Sequence, residues 1–236
     1  MNDISAQTPI GRIAADHPLT TRVFARHRLD YCCGGDRPLE DACEAKGLDA
    51  DEVMREIERE IEATRAPGGV ATRAPGGVAT RRWDDATARE IIEHIVAAYH
   101  EPLREELPRL VAMARKVAAV HGDLRPDTLP ALATTVASLK TDLERHMAEE
   151  ERDVFPRIVG EERAGATDRF AGLEHDHEEA GAALERIREL TGDYEVPAEA
   201  CGTWRALWHG LEDLERTMHE HVHLENNVLF PKARSG

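Results

Sequence analysis

The sequence predicts an all-α protein: an up-down-up-down four-helix bundle preceded by a small helical N-terminal domain. Three observations carry that prediction. Four long stretches repeat their apolar residues at alternating three- and four-residue steps, the period of an amphipathic helix, and no convincing strand interrupts them. The composition suits helix, with many Ala, Glu, Arg and Leu, 4% aromatic and 32% charged residues. A phrase, His-x-x-x-Glu-x-x-x-x-Phe-Pro, occurs twice, from His146 to Pro156 and from His221 to Pro231, each copy read as a helix stopped by its proline.

Residues 1–62 contain short apolar groupings: Ile10 and Ile13, then Leu19, Val23 and Phe24, then Val53, Ile57 and Ile61. They suggest three or four short helices, marginally stable alone. In residues 63–82 the unit Ala-Thr-Arg-Ala-Pro-Gly-Gly-Val appears twice in tandem. Its Pro-Gly-Gly runs at 67–69 and 75–77 oppose regular structure, so this part is expected to be a flexible linker.

Residues 83–236 are expected to form the bundle. The first stretch runs from about Asp84 to Val120, with Pro102 and Pro108 as expected kinks. The second runs from about Pro130 to Phe155, the third from about Asp168 to Leu190, and the fourth from about Pro197 to Phe230. Gly-containing breaks separate them. Short connections between amphipathic helices read as antiparallel neighbours.

With 30 basic and 46 acidic residues, the net charge is −16. That opposes binding to nucleic acid or to an anionic membrane surface. Met1–Pro18 has no apolar signal region and no stretch approaches a transmembrane span, so a soluble cytoplasmic protein is expected. The four cysteines, Cys32, Cys33, Cys43 and Cys201, are spaced too irregularly for a disulfide framework.

The apolar stripes identify the polar residues that face inward. The fourth reads Leu207, Leu211, Leu214, Met218, His221, Glu225, Leu229; the second reads Leu132, Val136, Leu139, Leu143, His146, Glu150. The third carries His177 between Leu173 and Ala180, and the first carries His100 between Val96 and Leu103. Four histidines and two glutamates thus occupy aliphatic positions. An inward carboxylate is costly unless it is paired or bound to metal. At 1.5 Å per residue, all four histidines fall roughly 15–25 Å from one end of the bundle, which fits a single site. His121 lies about 30 Å beyond His100 and is expected to be a cap or surface residue.

His219-Glu220-His221-Val222-His223 matches the zinc-protease pattern H-E-x-x-H, but His219 and His223 lie off the stripe, so that match is an accident of spacing. His94 and His175 are off-stripe as well. Imidazoles with carboxylates suit iron, zinc or manganese, and the absence of nearby cysteine opposes a structural zinc or an iron–sulfur cluster. Two carboxylates on facing helices, with two histidines per metal, predict a bridged dinuclear centre of hemerythrin-like type.

Tyr99-His100, Glu106-Leu107-Pro108, Val120-His121, His146-x-x-x-Glu150, His177-Glu-Glu-Ala-Gly and the ending His221-Val-His-Leu-Glu-Asn-Asn-Val-Leu-Phe-Pro resemble the repair-of-iron-centres family of the ScdA/YtfE type. Leu29-Asp30-Tyr31-Cys32-Cys33-Gly34-Gly35 is similar to that family's small N-terminal domain, and the resemblance spans essentially everything but the tandem repeat. It implies two iron ions in an oxo- and carboxylate-bridged centre, in a protein that restores iron–sulfur clusters damaged by nitrosative or oxidative stress. By position it implies His100, His146, His177 and His221 as terminal ligands and Glu150 and Glu225 as bridges. Pro102, two residues after His100, departs from a regular helix and puts that ligand's geometry in question.

Cys32 and Cys33 are adjacent, which strains a disulfide between them. Structural burial and a redox or transfer role are both open on the residues alone; the resemblance favours the second. Cys43 and Cys201 read as structural. Asp142 and Asp176 read as solvated carboxylates, or as groups supporting the ligands or an iron path. Iron donation to client iron–sulfur proteins leads the functional expectations. The alternatives are nitric oxide reduction at the di-iron centre, and an NO- or O2-binding sensor or buffer. Peroxide is a further small-molecule candidate, and the chain is expected to be a monomer or homodimer.

Overall fold

Helix is the regular structure of this chain; an isolated bridge between Pro9 and Pro38 is its extended pairing among the described residues. The computed structural model describes residues 4–65, 83, 85–160 and 167–235. Contacts divide the chain into two compact units, Met1–Thr87 with Val222–Gly236, and Ala88–His221.

The first unit contains α1 (Ile10–Asp16), α2 (Thr21–His27), α3 (Leu39–Glu44) and α4 (Ala50–Arg65). Ile10, Ile13, Val23, Phe24, Leu39, Val53 and Ile57 form its core, so the short apolar groupings are buried except for Leu19, which is half-buried. Asp49 starts α4: its carboxylate accepts the backbone N–H groups of Asp51 and Glu52, two donors that a helix leaves unpaired at its first turn. α4 continues to Arg65, three residues into the segment expected to be linker. The rest of the tandem repeat, 66–82, lies outside the described residues.

The second unit holds α5 (Ala88–Ile95) and α6 (Glu101–His121), then α7 (Leu129–Glu149), α8 (Phe155–Val159), α9 (Phe170–Thr191) and most of α10 (Gly202–Leu224). α6 packs on α7, α7 on α9, and α5 on α8. Leu107, Val136, Phe170, Ile187, Leu207 and Leu211 are fully buried along the predicted stripes. The fold is the predicted all-α bundle.

Three π turns punctuate the bundle helices: Val96–His100 between α5 and α6, Glu150–Val154 between α7 and α8, and Glu225–Leu229 between α10 and a last helix, α11 (Phe230–Ser235). They change the role of the prolines. Pro156 and Pro231 were expected to stop their helices. Instead each stands second in a short helix that follows a π turn, where a missing N–H costs little. Pro102 likewise follows a π turn and occupies the first turn of α6, and Pro108 lies inside an α6 that continues to His121.

One ion pair, buried at its carboxylate, joins α9 to α10. Arg188 donates two hydrogen bonds to Glu215, at 3.0 and 2.6 Å, and Glu215 is 6% exposed. Removing one partner of such a pair strands the other charge in the core. Arg188→Ala is therefore expected to destabilise the protein by about 3 kcal/mol in urea unfolding. Arg188→Ala with Glu215→Leu together should recover most of that loss.

Candidate metal centre

Each bundle helix brings one inward histidine, and packing buries all four: His100 at 0%, His146 at 3%, His177 at 2% and His221 at 1% exposure. The rings meet in pairs. His100 Nε2 lies 3.0 Å from His221 Nε2, and His146 Nε2 lies 2.9 Å from His177 Nε2. Two nitrogens bound to one metal at about 2.1 Å and at right angles stand about 3 Å apart, so each pair has the spacing of adjacent ligands.

Glu150 links the pairs. Its side chain is fully buried, with Oε2 3.5 Å from His100 Nε2 and Oε1 3.4 Å from His146 Nε2. Neither oxygen has a hydrogen-bond partner among the described residues. A carboxylate taken out of water without donors is expensive, and a pair of cations offsets that cost. His100, Glu150 and His221 offer ligand atoms within 4.8 Å of one another, and so do His146, Glu150 and His177. This donor set fits two metal ions. Glu225, also fully buried, stands one turn past His221, where α10 opens into its π turn.

Each of three predicted carboxylate or histidine ligands stands at a π turn. His100 ends the first, Glu150 opens the second and Glu225 opens the third. A single wide turn resets the helical phase, and such turns concentrate at functional sites. The strict 3–4 count had no means of showing them.

A second layer of carboxylates surrounds the histidines. Glu151 lies 2.7 Å from His100 Nδ1 and 2.6 Å from Arg104. Burial alone would raise the Glu151 carboxyl, but the bonds from Arg104 and His100 hold it below the usual carboxylate range. Asp176 lies 3.3 Å from His146 Nδ1 and 3.4 Å from Arg145. It too is held low by the bonds from His146 and Arg145, against the effect of burial. Sequence reading missed Glu151 altogether, because a regular helix turns it away from the stripe. Asp142 is exposed, as a solvated carboxylate should be. Tyr99 stacks on His221 with centroids 5.3 Å apart, and Phe155 stacks on His100 at 5.8 Å. His121 packs against Trp204 at the far end of α6, away from the histidine pairs in sequence and in its contacts.

The first unit carries the cysteines. Asp30 Oδ1 accepts the backbone N–H groups of Cys32 and Cys33, at 3.2 and 2.9 Å, and the Cys32 thiol at 3.1 Å. The two sulfurs are 3.8 Å apart and both are free thiols. The hydrogen bond to Cys33, burial, and the charges of Cys33 and Asp30 all push the Cys32 thiol well above its ordinary value. Cys32 is thus a protonated, buried thiol and Cys33 is half-exposed beside it. Cys43 is buried, whereas Cys201 is exposed.

Within this unit the loop is tied to the turn after α10. Asn227 Nδ2 donates to the Tyr31 and Cys32 carbonyls at 3.2 and 3.1 Å, and Asn226 donates to the Cys32 carbonyl at 3.3 Å. Gly11 and Gly35 make room for Asn227: a Cβ at either would stand 2.2 or 2.3 Å from its Oδ1. His223 was expected off the stripe, yet it is buried. Tyr31 covers it at 5.4 Å, and burial pushes it down to about 4 despite a ring bond to the Tyr31 backbone.

Residues 91–233 match the family model described as the hemerythrin HHE cation binding domain. Residues 6–60 match a domain of unknown function, DUF542. The chain is 37% identical over 227 residues to the iron-sulfur cluster repair protein YtfE of Pectobacterium atrosepticum, covering 96% of both chains. It is 36% identical to the proteins of that name from Escherichia coli O1:K1 and Escherichia fergusonii, covering 97% of both chains in each case.

Proposed function

Since the chain belongs to the YtfE-type family of hemerythrin-like iron–sulfur cluster repair proteins, we propose that it holds two iron ions and supplies iron to damaged clusters in client proteins of the cytoplasm. One observation carries this reading: Glu150 turns one carboxylate oxygen toward each of two histidine pairs. On this reading His100 and His221 hold one iron, and His146 and His177 the other. Glu150 bridges them, and Glu225, buried one turn past His221, supplies the second carboxylate bridge. The family also carries the proposed division into an N-terminal domain over 1–62, a linker over 63–82 and a metal-binding domain over 83–236.

Bound iron supplies one-electron chemistry and an exchangeable position for NO, O2 or peroxide. The protein's part is to confine and orient it. Tyr99 and Phe155 wall the histidines with apolar surface, and Glu151 and Asp176 accept hydrogen bonds from the outer nitrogens of His100 and His146. Cys32 and Cys33 are assigned a redox or transfer role. The raised Cys32 value leaves the half-exposed Cys33 as the sulfur that meets solvent first.

The reduced, iron-loaded protein should transfer iron to an apo-ferredoxin supplied with inorganic sulfide, with cluster formation followed by its visible absorption. NO consumption and N2O release are measured on the same preparation. Transfer without turnover is the expected result. Turnover without transfer overturns iron donation in favour of NO reduction.

A further inference from the structure

His100 is gripped more firmly than the other inward histidines whose outer nitrogen meets a carboxylate. Its Nε2 faces His221 and Glu150, and its Nδ1 donates to Glu151 Oε1 at 2.7 Å. The same oxygen accepts a bond from Arg104 Nη2 at 2.6 Å, and Arg104 stands one turn beyond His100 on α6. An ionised carboxylate only accepts hydrogen bonds, so the ring proton sits on Nδ1 and the Nε2 lone pair faces the interior. Phe155 then stacks on the ring, at 22° between the planes, and restricts its rotation.

His146 has the same kind of partners at longer range. Its Nδ1 is 3.3 Å from Asp176 Oδ2, and Arg145 reaches Asp176 at 3.4 Å through both terminal nitrogens. Charge-assisted bonds of full strength are shorter, at about 2.7–2.9 Å. His100 and His146 are therefore supported unequally at their outer nitrogens.

We propose that Glu151, held by Arg104, is the positioning residue for His100, and that this support makes the His100/His221 metal position the tighter of the two. The proposal rests on the two-iron reading above, and it adds an order of release to it. The His146/His177 ion is the one given up, while its partner stays.

Anaerobic titration with Fe(II) against a competing chelator tests this on the full-length chain. Wild type should bind two ions, one more weakly than the other. Glu151→Ala should weaken the tighter ion by roughly 10- to 100-fold and leave the weaker one unchanged. Added to His221→Ala, it should cause little further loss, whereas added to His177→Ala it should weaken the remaining ion. Glu151→Gln keeps an acceptor for His100 Nδ1 and should recover most of the affinity. Loss of the negative charge should still raise the midpoint potential, because Fe(III) gains most from a charged partner. Glu151→Ala binding both ions at wild-type strength, or weakening both equally, overturns the positioning role, as does an unchanged potential in Glu151→Gln. Wild type binding fewer than two ions overturns the two-iron reading itself.

Discussion

Glu150→Gln should empty the centre of iron while leaving the apoprotein at least as stable as wild type. The two effects have one cause. In the apoprotein, Glu150 is a fully buried carboxylate whose oxygens lack hydrogen-bond partners, which opposes folding. An amide of the same size removes that opposition and can share a hydrogen with a neighbouring imidazole. Iron reverses the sign, because Glu150 is the residue that faces both histidine pairs among the described residues of the second unit. The wild-type melting temperature should rise with added Fe(II), as binding to the folded state alone requires. Glu150→Gln should melt at or above the wild-type apoprotein and show no such rise. A variant that melts well below the wild-type apoprotein, or that still gains stability from iron, contradicts the role given to Glu150.

Asn227→Ala should release the cysteine loop without unfolding the bundle. The side chain donates to two loop carbonyls and fills the space between Gly11 and Gly35. Asn226 still reaches the Cys32 carbonyl in this variant, so the bond to the Tyr31 carbonyl and the packing between the glycines are what is lost. Such a loss costs about 1–3 kcal/mol, and about 1.4 kcal/mol is a factor of ten in a local opening equilibrium. Alkylation of Cys32 by iodoacetamide, timed by mass spectrometry, should accelerate about ten- to a hundredfold. Gly11→Ala should produce a similar acceleration from the other side, since its Cβ meets Asn227 Oδ1 at 2.2 Å and Gly35 Cα at 2.9 Å. Unchanged alkylation in both variants would show that Asn227 does not restrain the loop.

Much of the site was legible in the sequence because burial and helical period are written in the same residues. The stripes through Leu143 and Met218 lead directly to His146 and His221, and both are buried where the stripe puts them. The bundle's stretches were legible to within a few residues, since Gly and Pro punctuate their ends. Three things were not legible, each for a physical reason. The π turns leave no mark in the period, so Pro156 and Pro231 read as stops and Glu151 was missed. His223 is polar and off the stripe, and its burial depends on Tyr31, a residue distant in sequence. The hold of Asn226 and Asn227 on the cysteine loop is likewise a long-range contact, which one chain's periodicity does not encode.

The central claim is that one carboxylate stands between two metal positions. Mössbauer spectroscopy of the oxidised, 57Fe-loaded protein tests it most directly. The geometry predicts two irons per chain that are antiferromagnetically coupled, giving quadrupole doublets without magnetic splitting at low temperature and weak field. One iron per chain, or two irons showing the magnetic splitting of isolated high-spin Fe(III), would contradict it.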